Sequence, residues 1–315
     1  MKKGLSLVAL LVMLGLLVVS TTVGISGQAV EKAKPQIIDG LDYDEYGGAD
    51  AYANAGDNAS SRYYVNLDFY NMTSDDQLTI IPKFKTMQQT TEWSCGNVTA
   101  LMVLHHFGNT AFTEMQLAEL MGSSTDLDIP DATPGSANNF YEYGTNVKQL
   151  YEFFTELEGF QVLETSYKSE YEPSDLITEE DGLTPNDVGN LWPTFSANSL
   201  YTTENDDASE EWVEDAKDSF FVTWLVDHLN AGRPIMVEWG DWDGHWQAII
   251  GYDNNGTPGI GDDILIFADP YDTSDHWQDG YYYYPLERWF YMWKDRNVAP
   301  KPYQLQPFIV VDVEK

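Results

Sequence analysis

The chain has 315 residues, 43% of them hydrophobic, which is enough for one large core, and its 51 acids against 16 lysines and arginines give a formal net charge of −35. That charge repels nucleic acid and anionic lipid, so neither is expected as a partner. The single cysteine, Cys95, excludes an internal disulfide, leaving stability to core packing.

The N-terminus reads as an export signal: Lys2 and Lys3, the apolar run Leu5 to Val19, then small and polar residues ending at Gly27-Gln28-Ala29. The run is short for a membrane span, so residues 1–29 are expected to be a cleaved signal peptide or an N-terminal anchor, with no later stretch apolar enough to cross a bilayer. No cysteine follows to carry a lipid. Loss of this segment removes two lysines and no acid, taking the net charge from −35 to −37. A secreted or cell-surface monomer is expected, with the acid excess keeping it soluble in a salty medium. Residues 30–75 show little periodicity and read as a linker, a pro-segment or an arm over the domain, which is placed at 76–315.

Asp75 to Pro82 predicts a short strand. Val98, Leu101, Met102 and His105 at i, i+3, i+4, i+7 predict a helix that begins at Ser94 or Cys95 and stops at Gly108, with His105 facing the core and His106 solvated. Thr113 starts a second helix to Met121, and Thr145-Asn146 a third to Phe154, closed by Gly159 and followed by a strand over Phe160 to Leu163. Residues 167–213 read as an acidic insertion whose Trp192, Phe195, Tyr201 and Trp212 pack onto the body. Phe220 to Asn230 is a fourth helix. Strands follow at Ile235 to Trp239, His245 to Tyr252, Ile264 to Asp269 and Phe308 to Val313. Helices first and antiparallel strands after make an α+β pattern.

A thiol at a helix N-terminus lies near unpaired backbone N–H groups and the positive end of the helix dipole, which favours the nucleophilic thiolate. A symmetric hairpin across the loop 253–261 sets His245 beside Asp269, with Tyr252 opposite Asp262; a carboxylate there orients the imidazole and makes it more basic. Gln89, six residues before Cys95, can bring its amide NH₂ to join the Cys95 backbone N–H as an oxyanion hole, with Gln88 an adjacent competitor. Other chemistries lack their residues: there is no Gly-x-Ser-x-Gly elbow and no His-Glu-x-x-His helix, and His105 and His106 point to different sides. No cofactor is expected. Asp253, Asp262, Asp263, Asp272 and Asp275 are the acids that would hold a structural calcium, although a solvated hairpin loop accounts for them better. Trp93, Trp242 and Trp246 flank the candidate residues and serve either a substrate cleft or the core.

Taken together, Gln89-x₅-Cys95-Gly96, then Gly244-His245 about 150 residues on, then Ala268-Asp269-Pro270, resemble the papain-like cysteine peptidases. The blocks Ser94-Cys95-Gly96 and Gly244 to Asp253 are closest to the group similar to the bacteriocin-processing, double-glycine-cleaving peptidases, the C39-like group. The resemblance implies a papain-like α+β fold with the cysteine helix packed on an antiparallel sheet. It also implies Cys95 as nucleophile, His245 as general base and then acid, Asp269 as orienter, Gln89 in the oxyanion hole, and a peptide or protein substrate. Asn97 stands where many relatives carry proline, the acidic insertion is additional, and no transporter domain follows, so cleavage after a double glycine is not expected to carry over. A papain-like surface binding protein without turnover, and a cell-wall amidase or acyl transferase on the same fold, are the alternatives.

Overall fold

A computed structural model describes residues 67–91, 93–125, 143–167, 194–240, 244–272, 279–293 and 306–314. The expected leader, most of segment 30–75, Trp192 and Trp242, and Asp275 lie outside them. No helix of the described residues is long and apolar enough to cross a membrane.

Five α-helices are formed among the described residues: α1 Cys95–His106, α2 Glu114–Met121, α3 Val147–Glu156, α4 Phe220–Asn230 and α5 Leu286–Met292. Three of the starts are capped by side chains. Thr113 with Gln116, and Asn146 with Gln149, form reciprocal capping boxes on α2 and α3, and the Ser219 hydroxyl accepts from the N–H of Val222 on α4. Helix α1 ends in a Schellman arrangement: Gly108 takes φ +86°, its N–H donates to His105 O, and the Asn109 N–H donates to Leu104 O.

The strands are β1 Leu78–Ile80, β2 Ser124–Thr125, β3 Tyr143–Gly144, β4 Phe160–Thr165, β5 Ile235–Trp239, β6 His245–Asp253, β7 Ile264–Ala268, β8 Tyr281–Pro285 and β9 Phe308–Val313. A seven-stranded sheet runs β4-β9-β5-β6-β7-β8, with β1 also paired to the far end of β6, and β2 and β3 pair apart. All its pairings are antiparallel. The C-terminal β9 is thus inserted between β4 and β5, joining the helical half of the chain to the strand half.

Helix α1 differs from the amphipathic expectation: Cys95 to Leu104 are all buried. It lies between β6 and α2, with Thr99 Oγ1 donating to Trp246 O at 3.0 Å and Asn97 Nδ2 to Ser123 Oγ at 2.9 Å. A helix buried all round needs apolar or small residues on every side, and Val98 to Leu104 supply them. The expected contrast between the two histidines is absent: both are half-buried, and burial lowers the pKa of each. His106 Nε2 lies 2.7 Å from Gly232 O and its ring packs on Phe84 and Phe107.

Strand β8 and helix α5 were not expected. The N-terminal arm packs by Phe69 against Tyr281 and Tyr283. The described end of the insertion seats Phe195 among Phe221, Trp224, Trp293 and Phe308, and Tyr201 donates to Glu287 at 2.7 Å, while Trp212 stays 62% exposed.

Candidate active site

The loop into α1 is tied down by polar side chains. Thr91 Oγ1 accepts from the N–H groups of Trp93 and Ser94 and donates to Ser94 Oγ. Ser94 sits at the N-cap position but makes no capping bond, because its hydroxyl donates instead to the buried carboxylate of Glu114. Glu114 also accepts from Thr90 N and Thr90 Oγ1, each at 2.9 Å, so one side chain at the start of α2 holds both sides of the loop before Cys95. Gly96 must lack a side chain: a Cβ there would stand 2.8 Å from Thr145 Cβ and 3.2 Å from Trp246 Cδ1. That close approach seats the start of α1 against β6.

His245 opens β6 directly after Gly244, which takes φ +111°. Its Nε2 lies 2.7 Å from Asp269 Oδ1, and Cys95 is near enough to its ring to raise the proton affinity there. With Nε2 on the carboxylate, the nitrogen that meets the thiol is Nδ1. All three residues are buried, Cys95 at 8%, His245 at 4% and Asp269 at 2% exposure. Asp269 Oδ1 also accepts the Tyr271 N–H at 2.9 Å, and Oδ2 accepts Gln247 Nε2 at 2.8 Å.

Burial by itself favours a neutral ring at His245, but the Asp269 charge and hydrogen bond outweigh it, with Cys95 adding to them, and the pKa is raised to about 10. Burial likewise opposes ionisation of Asp269. The His245 charge and hydrogen bond, with the N–H groups of Tyr271 and Asp272, win and hold the carboxyl below its ordinary range.

The register that joins these residues is not the symmetric one expected. Tyr252 pairs with Leu265 and Gly251 with Ile266, then the register shifts between Ile249 and Gly251, and Ala248 pairs with Ala268. The residue inserted at the bulge re-aims the strand. Continued one step, this pairing sets Asp269 across from Gln247, and His245, two residues on and on the same side, reaches the carboxylate diagonally. Tyr252 correspondingly donates to Asp263 Oδ2 at 2.6 Å rather than standing opposite Asp262.

Gln89 is fully buried, whereas Gln88 is partly exposed. The Gln89 N–H donates to Pro270 O at 2.8 Å and its Nε2 to Thr91 O at 2.8 Å, so it bridges the Asp269 loop and the loop before Cys95. Trp93 and Trp246 are buried at 5% and 1% exposure and belong to the core. The acids considered for calcium are engaged separately: Asp253 accepts from Asn255 N, Asp262 from Thr257 Oγ1, Asp263 from Tyr252 and Asp272 from Gly280 N. Among the described residues no group of three or more histidines, cysteines or acids could hold a metal ion.

Two contributors were missed in the sequence. Gln247 reads there only as a polar break in an apolar strand, and Glu114 as an ordinary first-turn acid. The weak signal for Gln247 was its i+2 spacing from His245, which puts both on one side of β6.

A family model, the Peptidase_C39 like family, matches residues 81–295. No curated protein matches the chain. Among solved structures, one from Bacillus anthracis described as a C39-like peptidase aligns with 76% of this chain and 100% of its own, at 15% identity and a TM-score of 0.41.

Proposed function

The chain belongs to the Peptidase_C39 like family, and from that premise we propose that it is an exported cysteine peptidase working through Cys95, His245 and Asp269. The observation that supports this most is the buried hydrogen bond from His245 Nε2 to Asp269, with the buried Cys95 beside the same ring.

With His245 as its base, the sulfur of Cys95 attacks as the thiol proton passes to Nδ1. An S–C bond forms to the scissile carbonyl carbon, and the π pair moves to the oxygen. The Cys95 N–H and the second N–H of the Gln89 side-chain amide, whose first is held by Thr91 O, meet that oxyanion, worth roughly 3–4 kcal/mol per donor in the transition state. Collapse breaks the C–N bond as His245 Nδ1 gives its proton to the departing amine, leaving a thioester on Cys95. Water then attacks the thioester while Nδ1 takes its proton. The S–C bond breaks, the acid product leaves, and the proton passes back from Nδ1 to the sulfur.

Two experiments test the proposal. Peptide libraries are incubated with wild type and Cys95→Ala: cleavage by wild type alone is expected, whereas equal background cleavage by both would favour a binding protein without turnover. Export rests on the leader pattern at residues 1–29. N-terminal sequencing of protein recovered from the medium or cell surface is expected to begin near residue 30, and full-length protein confined to the cytoplasm would overturn it.

A further inference from the structure

Gln247 is fully buried and engaged at both ends of its side chain. Its Oε1 accepts the indole N–H of Trp239 at 2.8 Å, and its Nε2 donates to Asp269 Oδ2 at 2.8 Å. Trp239 is itself 1% exposed and lies directly across the sheet from His245. The four side chains therefore form a closed loop across three neighbouring strands, β5, β6 and the end of β7: Trp239 beside His245 by register, Trp239 to Gln247 to Asp269 and back to His245 by hydrogen bonds.

This loop has a directional consequence. An amide has a donor end and an acceptor end, and a buried flip would set its carbonyl against a carboxylate and its NH₂ against an indole N–H. Both contacts are repulsive, so Trp239 fixes which end meets Asp269. With Oδ2 occupied by Nε2, Oδ1 is left for His245 Nε2, and Nδ1 is turned to Cys95. Without the amide the carboxylate can rotate about its own axis, and the imidazole loses the constraint that keeps it on the sulfur. A glutamine in an apolar strand, whose neighbours Trp246, Ala248, Ile249 and Ile250 are core residues, otherwise costs folding energy for no packing gain.

We infer that Gln247 is a positioning residue for the thiol pair: held by Trp239, it locks the Asp269 carboxylate and through it the His245 ring. The inference rests on the peptidase reading above. The groups that titrate around Gln247 are Asp269, His245 and Cys95, and across β5 it faces the apolar Val237.

The test measures the rate at which iodoacetamide alkylates Cys95 across pH 5–10 in wild type, Gln247→Leu and Gln247→Glu, with melting temperatures to establish folding. Loss of positioning by a fraction of an ångström to about 1 Å predicts a rate lower by up to about 100-fold for Gln247→Leu, with a displaced pH profile. In Gln247→Glu, two carboxyls meet, so a proton must be shared between them and reactivity is expected to be confined to the acid side of the wild-type range. A residue that only packs would change the melting temperature and leave both profiles at wild type, and that result from either folded variant overturns the inference. The His245 Nε2–H proton resonance gives a readout independent of thiol reactivity: in wild type it is expected far downfield, and in either variant shifted or broadened. If wild-type Cys95 reacts no faster than free cysteine, the peptidase reading fails, and an unmoved resonance in the variants would separately refute the role of Gln247.

Discussion

His245 is pulled in two directions, since burial favours the neutral ring and Asp269 favours the charged one. The carboxylate wins and raises the pKa to about 10 from an ordinary 6.5. Between those values the folded protein binds a proton that the unfolded chain does not. This contribution to stability is therefore complete below about pH 6.5 and is lost as pH rises towards 10. Asp269→Asn removes the charge that holds the ring protonated. It is expected to move the alkaline limit of activity downward and to lower kcat by about 10²–10⁴-fold, read from a pH–rate profile. An unchanged alkaline limb would mean that Asp269 does not set the proton affinity of the ring. The pairing of His245 with Asp269 was legible because Cys95, His245 and Asp269 are residue types with few other reasons to stand at a helix start and at two strand ends. Gln247 was not legible, because its partners Trp239 and Asp269 are identified only by the register.

Among the elements, α1 and β6 bring the two halves of the candidate site together. Helix ends followed local rules: Gly108 in the left-handed region and the boxes begun by Thr113 and Asn146 were within reach of sequence reading. The bulge between Ile249 and Gly251 was not, because an inserted strand residue leaves no mark in an all-apolar run. Tyr281 to Tyr284 hid β8 for a similar reason: four identical residues show no alternation in sequence. The shifted hairpin buries Asp263, and burial, opposed by the Tyr252 hydrogen bond but reinforced by Asp262, Asp215 and Asp253, raises its pKa to about 6. The folded state thus binds a proton more tightly than the unfolded chain between about pH 4 and 6, and stability from this group falls as pH rises through that window. Asp263→Asn keeps an acceptor for Tyr252 and removes the charge. Its melting temperature is expected to match wild type near pH 4 and exceed it above pH 6, and parallel curves would refute the assignment.

For the whole molecule, 16 basic residues cannot neutralise 51 acids, so the surface charge is a general property and the site is built without it. Cys95, His245, Asp269, Gln247 and Gln89 are all buried where α1 meets the sheet, and their hydrogen bonds to one another and to the Cys95 loop hold the arrangement. The central claim is that this arrangement makes Cys95 a nucleophile whose acyl form is hydrolysed. The most direct measurement uses p-nitrophenyl acetate as a minimal acyl donor, following p-nitrophenolate release and the intact mass of rapidly quenched protein. The account predicts a burst of one p-nitrophenolate per chain, one acetyl group mapped to Cys95 that then disappears, and neither event in Cys95→Ala, with both slowed about 10²–10⁴-fold in His245→Ala. Acetylation of Cys95 no faster than that of free cysteine, or at the same rate in His245→Ala, would contradict it.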